Sequence, residues 1–156
     1  MKSKKVNSMT FRQAVEATSD ITKGFKAGLT AMGTHSRKIS VTITQLIDGS
    51  VDIDSCTTQR YPNANRWDYA FSYKGEVYFI EVHSANTREV GTVLKKLKWL
   101  KEWLIQQAPE INKMKVKSQP AFYWIQSNNC NIPASTPQYR SAVSAGLKPI
   151  AKLTLE

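Results

Sequence analysis

Cysteine is scarce in this chain of 156 residues: Cys56 and Cys130 are the only two, far apart and outside any CxxC or CxxH spacing. That argues against a disulfide framework or a zinc site, and two reduced thiols fit a cytoplasmic protein. No stretch approaches the roughly 20 apolar residues needed to cross a bilayer, so no membrane partner is expected. The opening MKSKKVNSMTFRQ is basic but lacks the apolar centre of a signal peptide. Residues 1–9 read as a flexible basic tail and 10–156 as a single domain. Acidic residues are also few, 12 Asp and Glu against 22 Lys and Arg, a net charge of +10. Such an excess favours a polyanionic partner through phosphate contacts and counterion release. Apolar residues make up 41% of the chain, which excludes a disordered class.

The chain alternates helix and strand patterns without repeats. Thr10 and Gln13 have capping-box spacing, and Phe11, Ala14, Val15 and Thr18, then Ile21 and Phe25, follow a helical period. Residues 39–47 alternate and are β-branched, Asp48-Gly49 is a two-residue hairpin signal, and Val51 and Ile53 resume the alternation. Residues 57–66 read as a loop. Trp67–Tyr73 forms a strand, Lys74-Gly75 turns it, and Glu76–Val82 returns. Asn86 and Glu89 again have capping-box spacing and open the clearest helix, over 87–107. Its apolar stripe is Val90, Val93, Leu94, Leu97, Leu100 and Leu104. Residues 121–126 read as a central strand covered on both faces. Thr136-Pro137 starts a helix over 137–145, and Ile150–Leu155 forms a last strand. The expected fold is an α/β (α+β) domain, a mixed central sheet flanked by helices.

The second hairpin carries the chemistry. With the turn centred between Lys74 and Gly75, Asp68 and Glu81 lie equally far from it and face each other across the ladder. Opposed positions share a face, with Cβ atoms ~4.5–5.5 Å apart, and two like charges there need compensation. A divalent cation supplies it, since Mg²⁺ is held by one or two carboxylates with waters and phosphate oxygens. Period two puts His83 on the face of Glu81, and the Val82 carbonyl lies between them as a further oxygen ligand. Asp68, Glu81 and Val82 are thus candidate ligands for Mg²⁺ or Mn²⁺, and His83 is the candidate to polarise or deprotonate a water. The plainer reading makes Asp68 and Glu81 solvated edge charges paired with Arg60, Arg66 or Arg88.

At these residues the chain resembles the PD-(D/E)XK nuclease superfamily, the restriction-endonuclease-like fold. Asp68 matches its first acid and Glu81-Val82 the start of its triplet, with His83 where the pattern has Lys. The family's order of helix, three antiparallel strands, helix and strand matches Thr10 to Gln126. The resemblance implies a metal-dependent endonuclease, a hydrolase of DNA or RNA phosphodiesters. It also implies that Glu16 on the first helix joins the site and that the missing lysine has moved to the following helix, as Lys95 or Lys96. Two other functions stay open: an inactive nucleic-acid-binding module on the same fold, and a toxin or interaction domain with an acidic partner protein. A homodimer is also left open. Trp67, Trp99, Trp103 and Trp124 suit either packing or base stacking. Gln126 and Ser127 suit the rim of the cleft, and His35 has no evident partner.

Overall fold

The computed structural model describes residues 9–128 and 131–156. The proposed tail, apart from Met9, and Cys130 lie outside the described residues. Helix α1 (Phe11–Glu16) starts as its sequence predicts, with both arms of the Thr10/Gln13 capping box formed. It is shorter than its apolar period suggests. The Thr18 hydroxyl donates back to the Ala14 carbonyl at 2.8 Å, and a separate turn over Ser19–Ile21 follows. Ile21 and Phe25 still reach the core by this bent path, Phe25 packing against Phe11 at 6.1 Å between ring centroids.

The expected hairpin at Asp48-Gly49 does not form. Strand β1 (Ile39–Val41) pairs in parallel with β6 (Leu153–Leu155) as a small separate sheet, and β2 (Ile47–Asp52) runs through Asp48 and Gly49 as a strand. Two contacts make those residues strand rather than turn. The Asp48 carboxylate accepts from the Ser72 hydroxyl at 2.8 Å, and a side chain at Gly49 would collide with the Phe25 ring, 2.3 Å from the ideal Cβ. The pairing with β3 shifts register between Ile47 and Gly49, as at a β-bulge. Helix α2 (Ile53–Thr57) follows, capped by Asp52 at the Ser55 amide.

Strands β3 (Tyr69–Tyr73) and β4 (Glu76–His83) form the second hairpin as expected. Lys74 and Gly75 both take positive φ, 54° and 77°, the handedness that matches a tight hairpin to strand twist. Helix α3 (Val90–Gln106) buries Val90, Val93, Leu97, Leu100 and Leu104, together with Trp103, and is followed by α4 (Pro109–Lys113). The chain then enters β5 (Phe122–Gln126), parallel to β4, before α5 (Pro137–Ser144), capped by Thr136. The main sheet is mixed, in the order β2-β3-β4-β5. Strand β5 is therefore at its end and not central. Only its Trp124 and Ile125 are buried, and Ile150 bonds its outer edge at Trp124 and Gln126, 2.9 and 2.8 Å. The fold is α+β, with one apolar core joining both sheets and the helices. Trp67 and Trp124, candidates for stacking, are fully buried in it.

Candidate active site

The β3–β4 register, Tyr69 opposite Ile80, places Asp68 opposite Glu81 one step beyond the end of β3. There side chains continue the ladder. The Asp68 amide donates to Glu81 Oε1 at 3.1 Å, and the Val82 amide donates to Asp68 Oδ2 at 3.0 Å. The amide and carbonyl of one extended residue leave the same strand edge, so the Val82 carbonyl also leaves β4 on the Asp68 side. The Asp68 carbonyl is held from the other side by the Ile53 amide at 2.8 Å.

Glu81 is completely buried, which rules out a solvated edge charge. A buried carboxylate costs several kcal/mol unless it is paired and hydrogen-bonded. Lys96 is its main partner: the ammonium lies 2.6 Å from Glu81 Oε2 and 4.0 Å from Asp68 Oδ1. None of the arginines considered from sequence takes this role. Arg60 pairs with Asp20 at 3.0 Å, Arg66 with Asp54 at 2.8 Å, and Arg88 is exposed. Of the two helix lysines, Lys95 faces solvent and Lys96 turns to the sheet, 100° further round the helix.

His83 lies on the Glu81 face, as period two requires. Its Nδ1 is 3.3 Å from Glu81 Oε2, and its Nε2 is 2.8 Å from Glu89 Oε2. Carboxylate oxygens only accept, so a proton on either ring nitrogen has an acceptor facing it. Contact with Glu81, and then with Glu89, raises the imidazole above its ordinary range against the opposing effect of burial. Both ring nitrogens face carboxylates, so neither is turned to a water. Glu89 was expected to cap α3; its carboxylate goes to His83 instead, and Asn86 makes no side-chain cap.

Asp68 is pushed up to about 7, first by burial and then by Glu81, with Lys96 and the Val82 amide pulling the other way. Among the described residues Oδ1 accepts no hydrogen bond, and the Lys96 ammonium lies 4.0 Å from it.

No family model, curated protein or solved structure matches this chain.

The remaining candidates fall into place around this cluster or away from it. Glu16 stands apart. It ends the short α1, half-exposed, and takes the Arg12 guanidinium at 2.9 Å; no hydrogen bond or ion pair joins it to Asp68, Glu81 or His83. Gln126 is in register with His83, and the Ser127 amide donates to the His83 carbonyl at 3.1 Å, so the end of β5 borders the cluster. His35 acquires a partner: Nδ1 lies 2.9 Å from the Tyr69 hydroxyl. Burial, and then Asp68 and other nearby carboxylates, push Tyr69 up to about 12, so its hydroxyl keeps its proton. A cavity of about 420 Å³ lies at the other end of the hairpin, beside Gly75 and Glu76, and holds none of these residues.

Among the described residues, no group of three or more His, Cys, Asp or Glu side chains is arranged to hold an ion. What the site offers is two carboxylates and a backbone carbonyl, all hard oxygen donors. Those fit Mg²⁺ or Mn²⁺, which take one or two protein carboxylates and complete their shell with water and phosphate, and they do not fit zinc. The raised Asp68 carboxyl fits too, since a cation there would favour its ionised form.

Proposed function

We propose that this protein is a divalent-cation-dependent nuclease, hydrolysing DNA or RNA phosphodiester bonds at Asp68, Glu81 and Lys96. One observation carries the reading: an ammonium 2.6 Å from one of two opposed carboxylates and 4.0 Å from the other, at the open end of a hairpin. The resemblance to PD-(D/E)XK nucleases calls for two acids and a lysine, and Lys96 supplies from α3 the ammonium that β4 lacks at His83. The order α1, antiparallel β2-β3-β4, α3 and parallel β5 agrees with that reading.

Asp68, Glu81 and the Val82 carbonyl would hold Mg²⁺ or Mn²⁺, which supplies an acidified water and neutralises charge on the phosphoryl group. Lys96 has three donors, and its bond to Glu81 leaves the others for a water or a phosphoryl oxygen. Asp68 loses its proton near neutrality, so its carboxylate becomes a full donor only as pH rises through about 7. His83, with both ring nitrogens turned to carboxylates, works as a tie to Glu81 and not as a base. The net charge of +10, with exposed Lys95, Lys98 and Lys101 along α3, suits a phosphate backbone as partner.

The test is cleavage of labelled duplex DNA, single-stranded DNA and RNA with Mg²⁺ or Mn²⁺, beside calorimetric titration of Mn²⁺. Wild type is expected to cut at least one of the three and to bind Mn²⁺. Asp68→Asn is expected to lose both, and Lys96→Met to lose about 10²–10³-fold in kcat, the scale for removing one charge-stabilising donor. A wild-type protein that cuts none of them defeats the proposal. Salt-sensitive binding without cleavage would leave the inactive binding module, and no binding at low salt would leave the protein-interaction reading.

A further inference from the structure

Glu81, Lys96, His83 and Glu89 form a ring of contacts that α3 closes. Lys96 Nζ meets Glu81 Oε2 at 2.6 Å, and His83 Nδ1 meets the same oxygen at 3.3 Å. His83 Nε2 meets Glu89 Oε2 at 2.8 Å, and Glu89 is the residue from which α3 begins. Glu89 and Lys96 are seven residues apart, so they lie on one flank of the helix, about two turns or ~10.5 Å along its axis. One helix therefore holds a single buried oxygen twice, directly through Lys96 and indirectly through Glu89 and His83.

The sequence shows what this arrangement displaces. Glu89 stands three residues after Asn86, where a capping box would use its side chain on the helix's own first amides. The box is not made, and Asn86 Oδ1 is buried without a hydrogen-bond partner. The start of α3 thus forgoes a capping interaction, and the carboxylate is engaged at His83. His83 is about one-fifth exposed at its side chain and Glu89 about one-third, so this end of the ring faces solvent while the Glu81 end is dry. Without His83 the carboxylate is held by a flexible lysine and by the one Asp68 amide, which leaves play about its broad terminal torsion. A second contact on the same oxygen removes that freedom and keeps Oε1 on the Asp68 amide.

We infer that His83 and Glu89 are positioning residues that fix the orientation of the Glu81 carboxylate. Glu89 acts through His83, and neither touches the reacting atoms. The inference rests on the proposed nuclease reading for its consequence in catalysis, but the tie can be observed without catalysis. Only two histidines are present, so the imidazole N–H signals of His83 are separable from those of His35 by ¹H–¹⁵N NMR on the full chain. The wild type is expected to show both His83 N–H protons, protected from exchange. Glu89→Gln should shift the Nε2 proton and also broaden or shift the Nδ1 proton that faces Glu81. An Nδ1 signal unchanged in Glu89→Gln would overturn the inference, whether or not the protein cuts nucleic acid.

Kinetics supply the second arm if the wild type cleaves. Glu89→Gln and His83→Gln should each lower kcat about 10–100-fold, the usual range for partners of metal-ligating residues, with oligonucleotide KM unchanged. The double variant should be no worse than His83→Gln, since Glu89 has no route to Glu81 without the ring. Additive losses, or a rise in KM with kcat intact, would refute the positioning role. A wild type that shows the NMR pattern and no cleavage would instead count against the nuclease reading alone.

Discussion

Lys96 reaches from the second turn of α3 to within 2.6 Å of Glu81 Oε2, and Glu81 has no exposure to solvent. Removing one partner of such a pair leaves an uncompensated buried charge, whereas removing both need not. Lys96→Met is therefore expected to cost about 3–5 kcal/mol in urea unfolding, the range for breaking a buried pair. Adding Glu81→Leu to Lys96→Met should restore part of that loss. Equal or greater destabilisation of the double variant would mean the pair is held by more than its charges.

Asp68 predicts a pH dependence of definite sign. Its carboxyl titrates near 3.9 in an unfolded chain and about 7 in the folded protein. A raised carboxyl contributes stability that is fully present below the unfolded value and is lost as pH rises through the folded one. Wild type should lose stability between about pH 4 and 7, by at most ~4 kcal/mol at 1.36 kcal/mol per unit. Asp68→Asn cannot titrate, so it should gain on wild type across that window when melting temperatures are compared at pH 5 and 8. Parallel curves would show that Asp68 is not the group responsible.

The same shift fixes the sign for cation binding. Mn²⁺ needs an ionised Asp68, so its affinity should rise with pH through about 7, with proton uptake by the buffer on binding. Calorimetry in two buffers of different ionisation enthalpy measures the proton directly. His83 shifts in the same direction as Asp68, so its contribution to stability also declines on the alkaline side.

Asp20 predicts how the 57–66 segment is held. Its buried Oδ2 accepts from the Tyr61 hydroxyl at 2.8 Å and the Trp103 indole at 3.0 Å, and Arg60 lies 3.0 Å from Oδ1. These contacts fasten the 57–66 segment to α3, where Tyr61 packs edge-on against Trp99. Asp20→Ala leaves the indole of buried Trp103 and the hydroxyl of half-buried Tyr61 without their acceptor, and should cost about 1–3 kcal/mol for the buried donor alone. Faster proteolysis within 57–66 should accompany it. A variant with wild-type stability would show the segment is held by packing alone.

Some of this was readable along the chain and some was not. The Asp68–Glu81 relationship was readable because Lys74-Gly75 admits one tight turn, and a tight turn sets the register of every opposed pair. The His83 face followed from the same period of two. Lys96 could not be separated from Lys95, since that choice depends on how α3 is rotated against the sheet. Glu89 was misread as a cap because a local acceptor pattern cannot reveal a distant competitor on β4. Asp48-Gly49 was misread for a similar reason: the Phe25 ring that requires a glycine there is remote in sequence.

The sequence by itself determined a basic α+β chain, the capped starts of α1 and α5, the β3–β4 hairpin, and the pairing of its two acids. All of these depend on neighbours within a few residues or on one turn. Only the tertiary structure decided the partners of those acids: Lys96 for Glu81, Glu89 for His83, and Arg12 rather than the cluster for Glu16. It also decided which strands met, pairing β1 with β6 and placing β5 at the sheet's end. The reason is physical. A buried charge takes the partner that packing brings within about 3 Å, and packing is a property of the whole chain.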